Sequence, residues 1–249
     1  MRSRGNALLT FAAFLVYQMT QSSPAMKSYF QLLNKEIERT YQIAIKARAL
    51  GLDPSDKPEI ARADDLAARV ESLVGPTSVA QRIRELNTKL TREEVAFKIS
   101  EEIVYGKFGR FGDDEKSAEQ AIRTALAILN EGVTTSPIEG IAGVKIKGNP
   151  DGGNYLAIYF ASPIRAAGGT EAAQTVLVGD FIRRLLHLDR YRPSEDEVER
   201  FVEEIELYRR QVTHLQYPSV TDEIRKAVRT LPIEVAGEPT EQLVVDLHC

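Results

Sequence analysis

Two short runs rich in β-branched and aromatic residues, Ile141–Lys147 and Tyr155–Ala161, flank Gly148-Asn149-Pro150-Asp151-Gly152-Gly153. Asn, Pro, Asp and Gly favour the backbone angles of tight turns, so the pattern predicts an antiparallel β-hairpin. The first run partly alternates apolar with small or polar residues, as a strand with one wet face does. The second is apolar throughout, as a buried strand is. An isolated hairpin is marginal in water, so the remaining chain must cover it.

That remaining chain reads as helices. Tyr29, Phe30, Leu33, Ile37, Tyr41 and Ala44 recur mostly at three- and four-residue steps, which predicts a long amphipathic helix over Lys27–Leu50, ended by Gly51. A second helix is predicted from Pro58 to about Val74, where Gly75-Pro76 breaks it. Ser78 opens a short helix, and Thr91 with Glu94 forms a capping box that starts another through Tyr105. Asp113-Asp114 can cap a further helix. The hairpin follows, then a helix from about Thr170 to Leu188. A second capping box, Ser194 with Glu197, starts the next helix, and one from Thr221 is stopped by Pro232. Ile233-Glu234-Val235 reads as the start of another strand. The class is α+β, with a helix-rich N-terminal part followed by a β-hairpin packed by helices. The expected divisions are residues 1–25, a helical part at 26–132 and an α+β part at 133–249, truncated at its C-terminus.

Composition narrows the function. The 249 residues carry 32 Lys plus Arg against 36 Asp plus Glu, a net charge of −4, with 43% hydrophobic residues. That excludes a purely cationic nucleic-acid coat, a low-complexity polymer and a wholly disordered chain. The single cysteine, Cys249, excludes an internal disulfide framework and any zinc site with two or more thiolates from this chain. The charge-rich body points to a cytoplasmic protein. Residues 1–25 differ: Arg2 and Arg4 precede the apolar run Ala7–Tyr17, with small residues after it, as in a secretory signal peptide. The run falls short of the about 20 apolar residues that span a bilayer. The expectation is a mis-assigned start, with translation beginning at Met26, or a short extra helix.

The residues offer no recognisable catalytic centre. His187, His214 and His248 are far apart in sequence, with no G-x-S-x-G elbow and no Cys–His pair, and phosphate-cradling glycine motifs are missing. Asp64-Asp65, Asp113-Asp114 and Glu195-Asp196-Glu197 lie where carboxylates serve helix N-termini. Two segments stand out. Gly106–Gly112 interleaves Lys107 and Arg110 with Phe108 and Phe111, groups suited to phosphate and base stacking on single strands, unless both rings pack inward. Ala161–Thr170, between a strand and a helix, has small residues that admit close backbone approach, and Arg165 could assist anion binding there. Tight strand–helix packing explains the same residues.

Tyr159–Thr170, reading Tyr-Phe-Ala-Ser-Pro-Ile-Arg-Ala-Ala-Gly-Gly-Thr, closely resembles a signature of the large subunit of the archaeal family D DNA polymerase. Ile138–Ile141, Tyr191-Arg192-Pro193, Gln216-Tyr217-Pro218, Leu231–Glu234 and Gly237–Glu241 continue the likeness, in order, from about Met26 to Glu241.

The resemblance implies the N-terminal region of a replicative DNA-directed DNA polymerase subunit. The complete enzyme would use magnesium for nucleotidyl transfer, and the complete complex would carry 3'-5' exonuclease activity. Its partners would be a small subunit in a heterodimer, DNA and, through regions outside this chain, a sliding clamp; no membrane is involved. In that family the polymerase site and zinc-binding cysteine clusters lie far downstream, so no catalytic or metal-binding residue carries over. The fragment alone is expected to be inactive, serving as scaffold, subunit contact or DNA contact through Lys107, Arg110 and Arg165. The alternative is a non-catalytic adaptor or single-stranded-DNA-binding module.

Overall fold

The computed structural model describes residues 23–52, 63–131, 138–161, 169–211 and 219–237. The chain divides into two compact units, Met1–Glu59 and Ile60–Cys249.

The first unit contains helix α1, Pro24–Ala49. Its ends follow from local chemistry. The Ser23 hydroxyl accepts from the Met26 amide at 3.2 Å, and Pro24, which has no amide hydrogen to satisfy, opens the first turn. At the far end the Gly51 amide donates to the Arg48 carbonyl and the Leu52 amide to the Ala47 carbonyl, a Schellman motif. That motif needs a left-handed residue, and Gly51 has φ +69°. No residue of α1 is buried, and Tyr29, Phe30, Leu32 and Leu33 stand exposed.

The second unit contains α2 (Leu66–Leu73), α3 (Val79–Asn87), α4 (Arg92–Val104), α5 (Asp114–Leu129), β1 (Ile141–Gly148), β2 (Asn154–Phe160), α6 (Gly169–Leu185), α7 (Glu195–Gln211), α8 (Thr221–Thr230) and β3 (Glu234–Gly237). Both predicted capping boxes form: Thr91 with Glu94 at α4, and Ser194 with Glu197 at α7. Asp113 caps α5 through the Lys116 amide at 2.9 Å. The second helix starts later than the sequence suggests. Asp65 adopts an extended backbone and its carboxylate accepts from the Ala68 amide at 2.7 Å, so a capping side chain begins α2 at Leu66. Residues 53–62, and with them Pro58, lie outside the described residues.

The strands form one sheet in the order β1-β2-β3, with β1 antiparallel and β3 parallel to β2. Register slips between Ile141 and Gly143, so the inward residues Ile141 and Val144 are three apart instead of two. β2 is covered on both faces, which is why its sequence is apolar throughout. Leu156, Ile158 and Phe160 join one large core with the helices, through residues such as Ile99, Ile122, Leu126 and Ile182. Tyr155 and Ala157 face the other way, against Tyr191. Helix α5 also contacts the outer edge of β1. Glu115 accepts from the Ile146 amide at 2.8 Å and from Lys145, and Arg123 donates to the Ile141 carbonyl at 2.7 Å. These contacts occupy the Ile146 amide and the Ile141 carbonyl on that edge, two groups that a foreign strand would otherwise use. Helices α7 and α8 pair around a small separate core of Val198, Val202, Ile224 and Val228, clamped by Arg225 on Glu199 and Arg229 on Glu195.

Candidate functional site

The glycine-rich loop between α4 and α5 folds back on the body. Gly106, Gly109 and Gly112 all have positive φ, which glycine reaches without steric cost. These bends turn Phe108 and Phe111 toward the main core, against which both rings pack half-buried. The exposed ring is Tyr105, at the C-terminal cap of α4. Lys107 donates to the buried Glu102 at 2.9 Å, and Arg82 holds the same carboxylate through three hydrogen bonds of 2.6–3.1 Å. Burial opposes the charge on Glu102, but hydrogen bonds from Arg82 and Lys107 win and hold its carboxyl below the usual carboxylate range. Arg110 is exposed at the outside of the loop. Arg165 lies outside the described residues. The structure therefore separates the two loop cations: Lys107 is partly neutralised and Arg110 faces solvent.

A second constellation, on the outer face of the sheet, was not singled out by the sequence. Glu234 on β3 accepts from Lys147 on β1 at 2.7 and 3.0 Å and from the Tyr155 hydroxyl on β2 at 2.8 Å. One carboxylate thus ties all three strands. Tyr191 stacks on Tyr155 with ring centroids 5.0 Å apart, and its amide donates to the Pro232 carbonyl. Burial, then the hydrogen bond to Glu234, pushes the Tyr155 phenol well up. Burial, then the charges of Glu197 and Glu234, does the same to Tyr191. Both phenols stay protonated at neutral pH; Tyr155 serves as a donor to Glu234 and Tyr191 as packing surface. Beside them, Asn149 in the hairpin turn bridges the Arg190 carbonyl and the Arg192 amide, and the Arg192 guanidinium reaches Asp151 and the Gly152 carbonyl.

The strings Tyr191-Arg192-Pro193 and Leu231–Glu234, far apart in sequence, meet on this face. Their side chains supply the packing, the staple on the turn and the strand-tying acid. Among the described residues no group of three or more His, Cys, Asp and Glu is placed to hold a metal ion, and no helix is long and apolar enough to cross a membrane.

The fold is α+β, and comparison with known proteins shows the family it comes from. A family model described as the N-terminal region of the DNA polymerase II large subunit DP2 matches residues 28–248. The chain belongs to that family. It is 56% identical to the DNA polymerase II large subunit of Thermococcus kodakarensis over 225 residues, which is 90% of this chain and 12% of the relative. The corresponding subunit of Pyrococcus furiosus is 56% identical over 88% of this chain and 18% of its own length. That of Methanococcus vannielii is 51% identical over 91% and 20%. The chain thus spans between an eighth and a fifth of these relatives and matches their N-terminal region.

Proposed function

We propose that this chain is the scaffolding and contact region of the large subunit of a replicative DNA-directed DNA polymerase in the cytoplasm, and that it does not polymerise by itself. One observation carries the reading. Buried and half-buried carboxylates are engaged by cations of the same chain, as Glu102, Glu119 and Glu234 are, whereas large apolar side chains stand exposed on α1 and at Leu207 and Tyr208 of α7. Internal ion pairs set element positions, and exposed aromatic and aliphatic residues are what a partner surface buries. The relatives' description as large subunits supports a partner subunit; a heterodimer with a small subunit, and 3'-5' exonuclease activity in the complete complex, are part of the proposal.

Magnesium would serve nucleotidyl transfer in the complete enzyme, but the donor set among the described residues does not fit it. The buried carboxylates already face Lys and Arg, so no step through a metal is assigned to this chain. DNA contact is proposed through Arg110, with Lys107 and Arg165 contributing. Template-directed incorporation measured on the purified chain is expected to be nil, and incorporation above background overturns the reading. For DNA contact, affinity for a single-stranded oligonucleotide is measured against salt. Arg110→Glu is expected to weaken binding and to reduce the slope of log K on log salt by roughly 0.7 per lost phosphate contact. An unchanged affinity and slope removes DNA contact while leaving the scaffold reading standing.

A further inference from the structure

Asp151-Gly152 is the one Asp-Gly pair in the chain, and no Asn-Gly pair occurs. An aspartate before glycine is open to spontaneous rearrangement, because glycine has no side chain to shield its backbone nitrogen. The Gly152 nitrogen attacks Cγ of Asp151. An N–Cγ bond forms, the Cγ–OH bond of the carboxylic acid breaks, and the amide proton leaves with the hydroxyl as water. The cyclic imide then takes up water at one of its two carbonyls. Opening at Cγ restores aspartate. Opening at the main-chain carbonyl gives isoaspartate, which routes the backbone through the side chain and lengthens it by one methylene.

The turn holds this pair in place through contacts at both reacting residues. The Gly152 amide donates to the Asn149 carbonyl at 3.1 Å, closing a turn with Pro150 and Asp151 at its centre. Nε of Arg192 donates to Oδ1 of Asp151 at 3.0 Å, and Nη2 donates to the Gly152 carbonyl at 3.0 Å. One guanidinium therefore grips both the carboxylate and the peptide that follows the attacking nitrogen. Arg192 is itself positioned, since its amide donates to Oδ1 of the buried Asn149 at 3.0 Å. The segment carrying it lies hard on the turn: a β-carbon at Gly153 would fall 1.9 Å from Oδ2 of Asp189.

We propose that Asp151-Gly152 is a latent isoaspartate site and that Arg192 keeps it closed by holding the turn in a form that must open before the nitrogen can attack. An extra methylene there would displace Asn149 from Arg192 and loosen the hairpin, so this chemistry is an ageing route for the fold. The inference stands apart from the polymerase reading.

Isoaspartate at residue 151 is quantified by peptide mapping with fragmentation that separates the two isomers, in the folded full chain and in the same chain unfolded in guanidinium chloride. The folded wild type is expected to accumulate it more slowly than the unfolded chain. Arg192→Ala, checked by its melting curve, is expected to raise the folded rate by about three- to tenfold. The pair is half exposed, at 48% for Arg192 and 59% for Asp151, so high sodium chloride should screen it and raise the wild-type rate too. Equal rates in the folded and unfolded chain, or an Arg192→Ala rate equal to wild type, overturns the proposal. If Arg192→Ala does not fold, the salt series decides, and a wild-type rate indifferent to salt overturns it.

Discussion

A β-carbon on Gly179 of α6 would stand 2.7 Å from Cδ1 of Ile233 and 2.8 Å from Cδ1 of Ile158. Both isoleucines are fully buried, so the helix approaches the sheet by its backbone and the methyls have little room to yield. Gly179→Ala gains about 1 kcal/mol of helix propensity, which offsets much of an overpacking cost of about 1–3 kcal/mol. Gly179→Val lacks that compensation and is expected to lose about 2–3 kcal/mol. A urea titration checks this: the midpoint falls more for Val than for Ala, and a Val variant as stable as wild type contradicts the close approach. Glu102 tests a different physics. Glu102→Gln keeps the shape but leaves Lys107 without its anion and Arg82 with Glu85 alone, at a cost of about 1–2 kcal/mol because both cations still reach water. A midpoint unchanged by this substitution would show that the pairs contribute nothing net.

Among the described residues, α7 and α8 share a core of four buried residues, apart from the large core built by α2–α6 and the sheet. Local opening follows the apolar surface an element buries. Amide hydrogen exchange is therefore expected to be faster in α7 and α8 than in α4 and α5. Val228→Ala should speed exchange in α7 and α8 while leaving α4 and α5 as they were. Uniform protection across all four helices would contradict a separately stabilised pair. The elements also show which local signals suffice. Both capping boxes, the Asp113 cap, the Gly51 stop and the hairpin turn were legible, because each depends on residues a few positions apart. The unbroken helix expected from Pro58 to about Val74 is interrupted at residues 63–65, because Asp65 takes an extended backbone and caps α2 at Leu66. The parallel pairing of β3 carries no local sequence signal at all.

For the whole molecule, acid is the lever. Asp65 is held down to about 2, first by its hydrogen bonds from Arg84 and then by the Ala68 amide. Glu115 is held low by the Ile146 amide and Lys145, Glu195 by Arg229, and Glu199 by Arg225. Each of these carboxyls binds a proton more readily in the unfolded chain, where its value returns to about 4. Their contribution is therefore complete above that value and is lost as pH falls through the folded values. The melting temperature is expected to stay level from neutral pH down to about pH 5 and to drop between about pH 4 and 2. A melting temperature that holds or rises through that window contradicts the pairing. The family was legible from the strings quoted above, and the comparisons bear it out. What those strings do in the fold was not.

The sequence by itself determined the chain's local grammar: where helices start and stop, where the hairpin turns, and that a buried strand follows the turn. Only the tertiary structure decided which polar groups meet. Arg192 and Asp151 are 41 residues apart, and Tyr155 and Glu234 are 79 apart. It also decided that Phe108 and Phe111 go inward while Tyr105 stays out. The reason is physical. Caps and turns are satisfied within one or two turns of chain, whereas ion pairs and ring burial depend on which surfaces the core has already brought together.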